Sequence, residues 1–543
     1  MNAPPRGRRL IWLATFALLS AALGQACDGG PPSGPPQTPG PSSSPTSDRP
    51  PPTLEPLPPL TLADRVTLYG AETGDAAMGL ATGDFNGDTI VDVALTAAHA
   101  DGPQNARPDA GEALLFFGPF APGEVRDAAL GEQDVTIFGA GEADGLGGAV
   151  AAGDVDGDGI DDLILGAPFA DGPGGERPDA GETYVLPGSR SWPAQIDLAE
   201  QPGTIVLGAG EKDLAGFSLA TTDANGDGVD DLLVGALSAD GADDSRPDAG
   251  EAYLIFGSPS WPASLDLAAG DQDVTIIGAE AEDRLSEGLA AGDLDGDGNG
   301  DLVLSATFAS GPQNGRPKAG EVYVILGGSF DESYDLAVLQ TGMLVLGSDE
   351  GDQIGHSAAV GDFDGDGVGD LLLGAVSADG PGNDRDLAGE GYLILSSASP
   401  PTSIDTLAGD EALRIYGADT VDRLGRSAAA GDLNGDGKSD ALLAAAGGDG
   451  SDGSVKDGGE VFVIFGRPGL RGALDLGLQA ADIVIEGLNA NDVLGVNTFG
   501  RPPLLSTDVD GDGLDDVLVS ALGDGPANDR TDAGEAYILL ARR

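Results

Sequence analysis

The chain has 543 residues, a formal net charge of −65, 89 glycines, one cysteine and two histidines. A single cysteine excludes an internal disulfide framework and any cysteine-based zinc cluster. The acidic balance argues against nucleic acid, which needs clustered Lys and Arg, and suits divalent cations or high solubility.

At the N-terminus Arg6, Arg8 and Arg9 precede an apolar run over 10–23, and Cys27 follows shortly. The run is too short for a comfortable bilayer span and reads as a signal segment over 1–26. It resembles a bacterial lipoprotein signal, in which Cys27 is lipidated and becomes the new N-terminus. Gly24 departs from that pattern, which usually has an aliphatic residue there. An ordinary cleaved signal with an incidental Cys27 stays open, and Arg8-Arg9 also fits a twin-arginine signal. Residues 27–61 are rich in Pro, Ser and Gly and predict an extended, semi-rigid tether. The expected location is the bacterial cell envelope, lipid-anchored at the outer membrane, or secreted or periplasmic. Membrane contact is expected only through the lipid.

From residue 62 onward the chain repeats. An acidic stretch recurs seven times, with start-to-start spacings of 70, 69, 70, 69, 70 and 76. Each unit carries a short alternating run such as VTLYG (66–70), then a Gly/Ala-rich segment, the acidic loop, an apolar run such as DLLVGA (231–236), and a β-rich run such as EAYLIFG (251–257). Bounded by Gly, Pro, Asn and Asp, these read as four strands per unit. Apolar runs without alternation suit strands sandwiched between neighbouring sheets. Self-similarity at this period overrides the length-based expectation of several domains. Residues 62–543 are expected to be one all-β, seven-bladed β-propeller of four-stranded blades.

In each loop, positions 1, 3, 5, 7 and 9 are candidate ligands. They are Asp84, Asn86, Asp88, Ile90 and Asp92 in the first loop, and Asp154, Asp156, Asp158, Ile160 and Asp162 in the second. The third has Asp223, Asn225, Asp227, Val229 and Asp231; the fourth has Asp293, Asp295, Asp297, Asn299 and Asp301. The fifth has Asp362, Asp364, Asp366, Val368 and Asp370; the sixth has Asp432, Asn434, Asp436, Lys438 and Asp440. The seventh has Asp508, Asp510, Asp512, Leu514 and Asp516. Position 7 varies, so it can offer only its backbone carbonyl. Hard oxygen donors in a tight turn are what Ca²⁺ takes, and the pattern matches the first half of an EF-hand loop. Position 12, which there must be Glu, is Leu or Val in all seven, as in Leu95 and Val234, so these loops are not EF-hands. Up to seven structural calcium ions are expected, because a dication offsets the repulsion among carboxylates packed this closely. Thr89 replaces the glycine found at position 6 of the other six loops and should weaken the first site.

The phased units AGFSLATTDANGDGVDDLLVGAL (215–237) and LGGAVAAGDVDGDGIDDLILGAP (146–168) resemble the FG-GAP repeat family, the propeller of integrin α-subunits and its bacterial relatives. Phe-Gly is mostly replaced by Leu-Gly or Ile-Gly, and intact Gly-Ala-Pro survives only at 166–168. The resemblance implies calcium at the acidic loops. It also implies ring closure by the N-terminal strand joining the C-terminal blade.

A second recurring loop, DGPxxxRPDAGE, supplies Arg107, Arg177, Arg246, Arg316, Arg385 and Arg530; the sixth unit lacks the Arg. A Glu opens the next strand in all seven units, from Glu112 to Glu535. Ion pairing that fixes the turn explains such repetition better than a ligand site, which usually breaks symmetry. The insertion over 495–508 does break it and is a candidate binding face. His99 and His356 vary between repeats and read as incidental. No catalytic residue is identified and no enzyme activity is expected. The expected role is an adhesion or ligand-binding module, monomeric, with a protein or glycan partner at the cell surface. Alternatives are a calcium-dependent, lyase-like polysaccharide-degrading propeller and a purely structural surface protein.

Overall fold

A computed structural model describes residues 65–542, apart from 242–244, 339–341, 451–452, 497–502 and 527–528. The signal and tether over 1–61, with Cys27, lie outside the described residues, as does the middle of the insertion. Among the described residues no helix is long and apolar enough to cross a membrane.

The strands form seven sheets, one for each acidic loop, and blades are numbered here by loop order. Blade 3 shows the plan. Its inner strand Ala215–Thr222 pairs with Asp231–Ala236, which pairs with Glu251–Ile255, which pairs with the outer strand Val274–Ile277, all antiparallel. The second strand is buried at all six positions in every blade. Both of its faces meet neighbouring sheets, so continuous Leu, Val and Ala runs are favoured there over alternation.

The apolar core divides into seven clusters, each uniting two consecutive blades. Phe85 and Leu115 of blade 1 pack with Leu163 and Tyr184 of blade 2, for example. Inner strands of adjacent blades touch all the way round, and the last, Leu504–Thr507, meets the first, Gly79–Gly83. Closure within blade 7 comes from the chain's beginning: Val66–Tyr69 lies antiparallel to Glu535–Leu539. This abolishes one free sheet edge. The end of the 495–508 insertion, expected as a loop, supplies the inner strand of that blade.

Six blades hold a fifth strand that the four-strand expectation missed. It is three or four residues long and runs parallel to the outer strand. In blade 1, Gln195, Ile196 and Asp197 pair with Thr136, Ile137 and Phe138. It belongs to the next sequence repeat, so each blade is stitched to its successor. Its terminal Asp accepts from the Arg of the blade it joins: Arg107–Asp197 at 2.6 Å, Arg177–Asp266 at 2.7 Å, Arg246–Asp335 at 2.8 Å, Arg316–Asp405 at 2.7 Å, Arg385–Asp475 at 2.9 Å and Arg530–Asp127 at 2.7 Å. The recurring Arg is therefore a structural clamp between blades. Among the described residues blade 6, Leu424–Gly431, Asp440–Ala445, Glu460–Ile464 and Ile483–Glu486, has four strands.

Candidate metal loops and an asymmetric channel cluster

Each acidic loop joins an inner strand to the second strand of its blade. Position 1 organises the turn. In loop 3 the carboxylate of Asp223 accepts the backbone N–H groups of Gly226 (2.8 Å), Asp227 (3.0 Å) and Gly228 (2.9 Å). Position 5 accepts the N–H of position 7, as Asp227 does from Val229 at 3.0 Å. Position 9 opens the buried second strand. Asp231 accepts from Ala224 and Asn225 with one oxygen and from Gly257, beyond the third strand, with the other. Position 6 is left-handed throughout, with φ from 81° to 91° at its glycines and 69° at Thr89. Glycine adopts that conformation without steric penalty, whereas threonine is strained there.

The loops gather oxygen donors. Asp154, Asp156 and Asp162 present ligand oxygens within 4.8 Å of one another, as do Asp362, Asp364 and Asp370, and Asp508, Asp510 and Asp516. In the fourth loop the group is Asp293, Asp295 and Asp297. Where position 3 is Asn, its amide turns to position 9: Asn86, Asn225 and Asn434 donate to Asp92, Asp231 and Asp440 at 3.1, 3.1 and 3.0 Å. Position 7 side chains make no common pattern, and Lys438 instead places its ammonium 3.0 Å from Asp436.

The electrostatics fit a cation. Burial, aided by the neighbouring loop carboxylates, pushes Asp92, Asp162, Asp370, Asp440 and Asp516 up to about 7, against the lowering effect of backbone N–H donors. Asp231 and Asp301 rise to about 6, also mainly by burial. Oδ2 of Asp92 is buried without a hydrogen-bond partner among the described residues. Several of these clusters could hold a metal ion, and their donors are all hard oxygens.

At the other end of the inner strands lies a cluster absent from the repeat. Glu287, His356 and Arg426 are each the third residue of the inner strand in blades 4, 5 and 6, Leu285–Gly292, Ile354–Gly361 and Leu424–Gly431. All three fall inside β-bulges, where pairing skips from Leu285 to Leu289, Ile354 to Ser357 and Leu424 to Ser427. The preceding residue is left-handed in each, with φ of 71° at Ser286, 88° at Gly355 and 84° at Gly425. That geometry explains the recurrent Leu-Gly or Ile-Gly and re-aims the next side chain. Elsewhere the position is Gly79, Gly148, Phe217 or Val496.

His356 Nδ1 stands 4.0 Å from Glu287, and its Nε2 is buried without a hydrogen-bond partner among the described residues. The Thr307 hydroxyl bonds to Glu287. Burial raises Glu287, against the lowering pull of Thr307, Arg284 and Arg426. Burial drives the His356 imidazole well below its ordinary range, and Arg426 and Arg423 push the same way, so it is neutral at pH 7. Burial and Arg423 lower Arg426 to about 10. Read alone, His356 looked incidental; the signal that would have flagged it is the shared phase of three ionisable residues in consecutive repeats.

Seven blades, each with an acidic loop before a buried strand, define the class as a β-propeller with repeated metal-type loops. Residues 146–186, 215–255, 287–325 and 424–464 match the FG-GAP repeat model, so the propeller carries four FG-GAP repeats. It is 33% identical over 168 residues to the phosphatidylinositol-glycan-specific phospholipase D of Rattus norvegicus, covering 31% of this chain and 19% of the relative. It is 29% identical over 272 residues to integrin alpha pat-2 of Caenorhabditis briggsae, covering 48% of this chain and 20% of the relative. The matches thus span about a fifth of the length of these relatives. Among solved structures, a Bacillus licheniformis rhamnogalacturonan lyase superposes with a TM-score of 0.39 at 13% identity, over 87% of this chain and 74% of its own.

Proposed function

We propose that the protein is a calcium-loaded propeller of the bacterial envelope that acts as an adhesion or ligand-binding module. The observation that carries calcium is the convergence of loop carboxylates within 4.8 Å in the same phase of several blades. In this reading positions 1, 3, 5 and 9 supply side-chain oxygens and position 7 its carbonyl. The ion supplies charge compensation that ties the inner strand to the second strand, so it supports the fold and does no chemistry. The tether and lipid at Cys27 would hold the propeller away from the membrane. Ligand binding is assigned to the ring end that carries Glu287, His356 and Arg426, because this is where the sevenfold repetition fails and the acidic loops are remote.

The test is retention of the full chain on envelope proteins and exopolysaccharides of the source cells, with calcium and with chelator. Calcium-dependent retention that Arg426→Ala abolishes supports the reading. No retention of a folded, calcium-loaded protein overturns it. A second reading, a polysaccharide-degrading enzyme, is favoured by one observation: the buried His356 stands 4.0 Å from Glu287, two residue types that serve acid–base chemistry. Unsaturated or hydrolysed products from the polysaccharide fraction, lost in His356→Gln, would establish it.

A further inference from the structure

The ring end that carries Glu287, His356 and Arg426 is polar over three consecutive blades and apolar or small over the others. Three residues before that position, the turn into each inner strand holds one residue in the left-handed region, in every blade. It is Arg284, Gln353 and Arg423 in blades 4, 5 and 6, and Ala76, Gly145 and Leu214 in blades 1, 2 and 3, with φ from 52° to 66°. The backbone there is set by the repeat, so the fold dictates where the side chain starts and leaves its chemistry free. Blades 4 to 6 use that freedom for charge. They place three guanidiniums, Arg284, Arg423 and Arg426, against the one carboxylate of Glu287.

Blades 5 and 6 bring His356 and Arg426 side by side. The Ser357 hydroxyl, next to His356, donates to the Gly425 carbonyl, next to Arg426, at 2.9 Å. Arg423 stands on the same turn, its N–H held by the Leu387 carbonyl at 3.0 Å. The adjoining Asp422 is turned back on its own loop, where it accepts the Asp419 N–H at 2.8 Å.

Nothing described in the chain answers the charge of Arg423 and Arg426 by contact. Eight other half-buried arginines hold a carboxylate at 2.6 to 2.9 Å, as Arg177 holds Asp266 and Arg414 holds Glu411. Arg423 and Arg426 are half-buried as well, yet among the described residues neither makes an ion pair or a side-chain hydrogen bond. Burial, then the neighbouring Arg423, depresses Arg426, so the two guanidiniums repel. Nε2 of His356, buried in the same patch, also lacks a partner among the described residues. Asp and Glu outnumber Lys and Arg by 91 to 26, so an unpaired guanidinium is an exception here. Two of them side by side carry an electrostatic cost that a bound anion would offset.

We infer that the ligand of this ring end carries a carboxylate, received jointly by Arg423 and Arg426 beside His356, which rests on the assignment of ligand binding to that end. The two oxygens of a carboxylate match the donor fork of a guanidinium, so two forks can hold one group through charge-assisted bonds. A dianion such as phosphate is disfavoured, because Glu287 stands 4.0 Å from His356 in the same patch.

The test is nuclear magnetic resonance of the arginine side-chain N–H groups in the full calcium-loaded chain. The probes are acetate, methyl sulfate and inorganic phosphate, titrated at constant ionic strength. Arg423→Gln and Arg426→Gln assign the two signals, and the Arg177 signal, held by Asp266, reports that each variant is folded. Acetate should shift the Arg423 and Arg426 signals saturably. Each single variant should weaken acetate about tenfold or more, the loss of one charge-assisted bond. Unsaturated drift no larger than that of the exposed Arg190 overturns the proposal. Tighter binding of methyl sulfate or phosphate than of acetate also overturns it. Retention on envelope material is read on the same chain and on the double variant. Saturable acetate binding with no retention upholds the carboxylate site and overturns the adhesion role. Retention kept by the double variant, with no saturable shift, does the reverse.

Discussion

Asp230 and Asp154 bond to each other twice across adjacent blades. The Asp230 N–H donates to the Asp154 carbonyl at 3.1 Å, and the Asp230 carboxylate accepts the Asp154 N–H at 3.1 Å. Asp154 is position 1 of loop 2, and Asp230 is position 8 of loop 3. Backbone links of the same kind join Gly300 to Asp223, Gly369 to Asp293, Ser439 to Asp362 and Asp515 to Asp432, at 2.8 to 3.0 Å. The metal-type loops are thus chained, and ordering one loop orders the first residue of its neighbour. Asp230 itself is outside the ligand pattern. Asp230→Ala is expected to weaken calcium at loop 2 by about 1 kcal/mol, roughly fivefold in Kd, through loss of a bond to a charged acceptor. Calorimetric titration against Asp230→Asn, which keeps an acceptor oxygen, checks this; equal weakening by both variants would deny the carboxylate that role.

The seven loops should differ in affinity. Thr89 holds φ 69° in loop 1 where the other loops have glycine. Thr89→Gly is expected to strengthen loop 1 by about 1 kcal/mol by removing left-handed strain. In loop 6 the Lys438 ammonium sits 3.0 Å from the Asp436 carboxylate and competes with a dication. Lys438→Val, the residue of loops 3 and 5, should raise affinity there. Stoichiometry at limiting calcium, read by native mass spectrometry, should climb in each variant. No change in either would show that loops 1 and 6 are not the weak sites.

Much of this was legible because it is local. An Asp-rich turn with glycine at a left-handed position declares its chemistry within nine residues, and phased repetition declares the ring. The fifth strands were not legible. Three residues such as Ser264, Leu265 and Asp266 are too short to signal a strand, and their partner Ile205 lies far back in the sequence. The Arg clamp could be read as structural, but its Asp sits about 90 residues away, as with Arg177 and Asp266. Glu287, His356 and Arg426 were missed because only the bulges turn three scattered residues toward one place.

Stability should respond to pH in opposite ways with and without calcium. Without the ion, folding raises Asp162, Asp370, Asp440 and Asp516 to about 7 from an ordinary value near 4. A group raised by folding favours the folded state fully below its unfolded pKa, and that advantage disappears as pH rises through about 7. The chelated protein should therefore melt higher at pH 5 than at pH 8. Calcium needs these groups ionised and must displace their protons, so its effect on Tm should be small at pH 5 and large at pH 8. At one hundredfold excess over Kd each site adds about 2.7 kcal/mol. Thermal scans at both pH values, with calcium and with chelator, decide the matter. A calcium-induced rise in Tm as large at pH 5 as at pH 8 would contradict it.

Arg426 compensates a buried charge, and this separates its structural role from ligand binding. Its guanidinium acts on Glu287, whose side chain is only 20% exposed, while the neighbouring His356 is neutral and supplies no charge. Arg426→Ala is expected to destabilise the propeller by about 1 kcal/mol at pH 8, because it removes one of the two guanidiniums, with Arg284, that offset the charge of Glu287. The loss should shrink as pH falls, because Glu287, raised by burial, takes up a proton more readily than an ordinary glutamate and then needs no partner. Glu287→Gln in the same chain should recover most of the stability at pH 8, since a neutral amide can still meet the Thr307 hydroxyl. Ligand retention should not return with it if the guanidinium itself contacts the ligand. Denaturant midpoints and retention measured on the single and double variants give the two readouts separately. Recovery of both by Glu287→Gln would mean that Arg426 serves only to hold Glu287, and the binding surface would then have to be sought elsewhere on the ring.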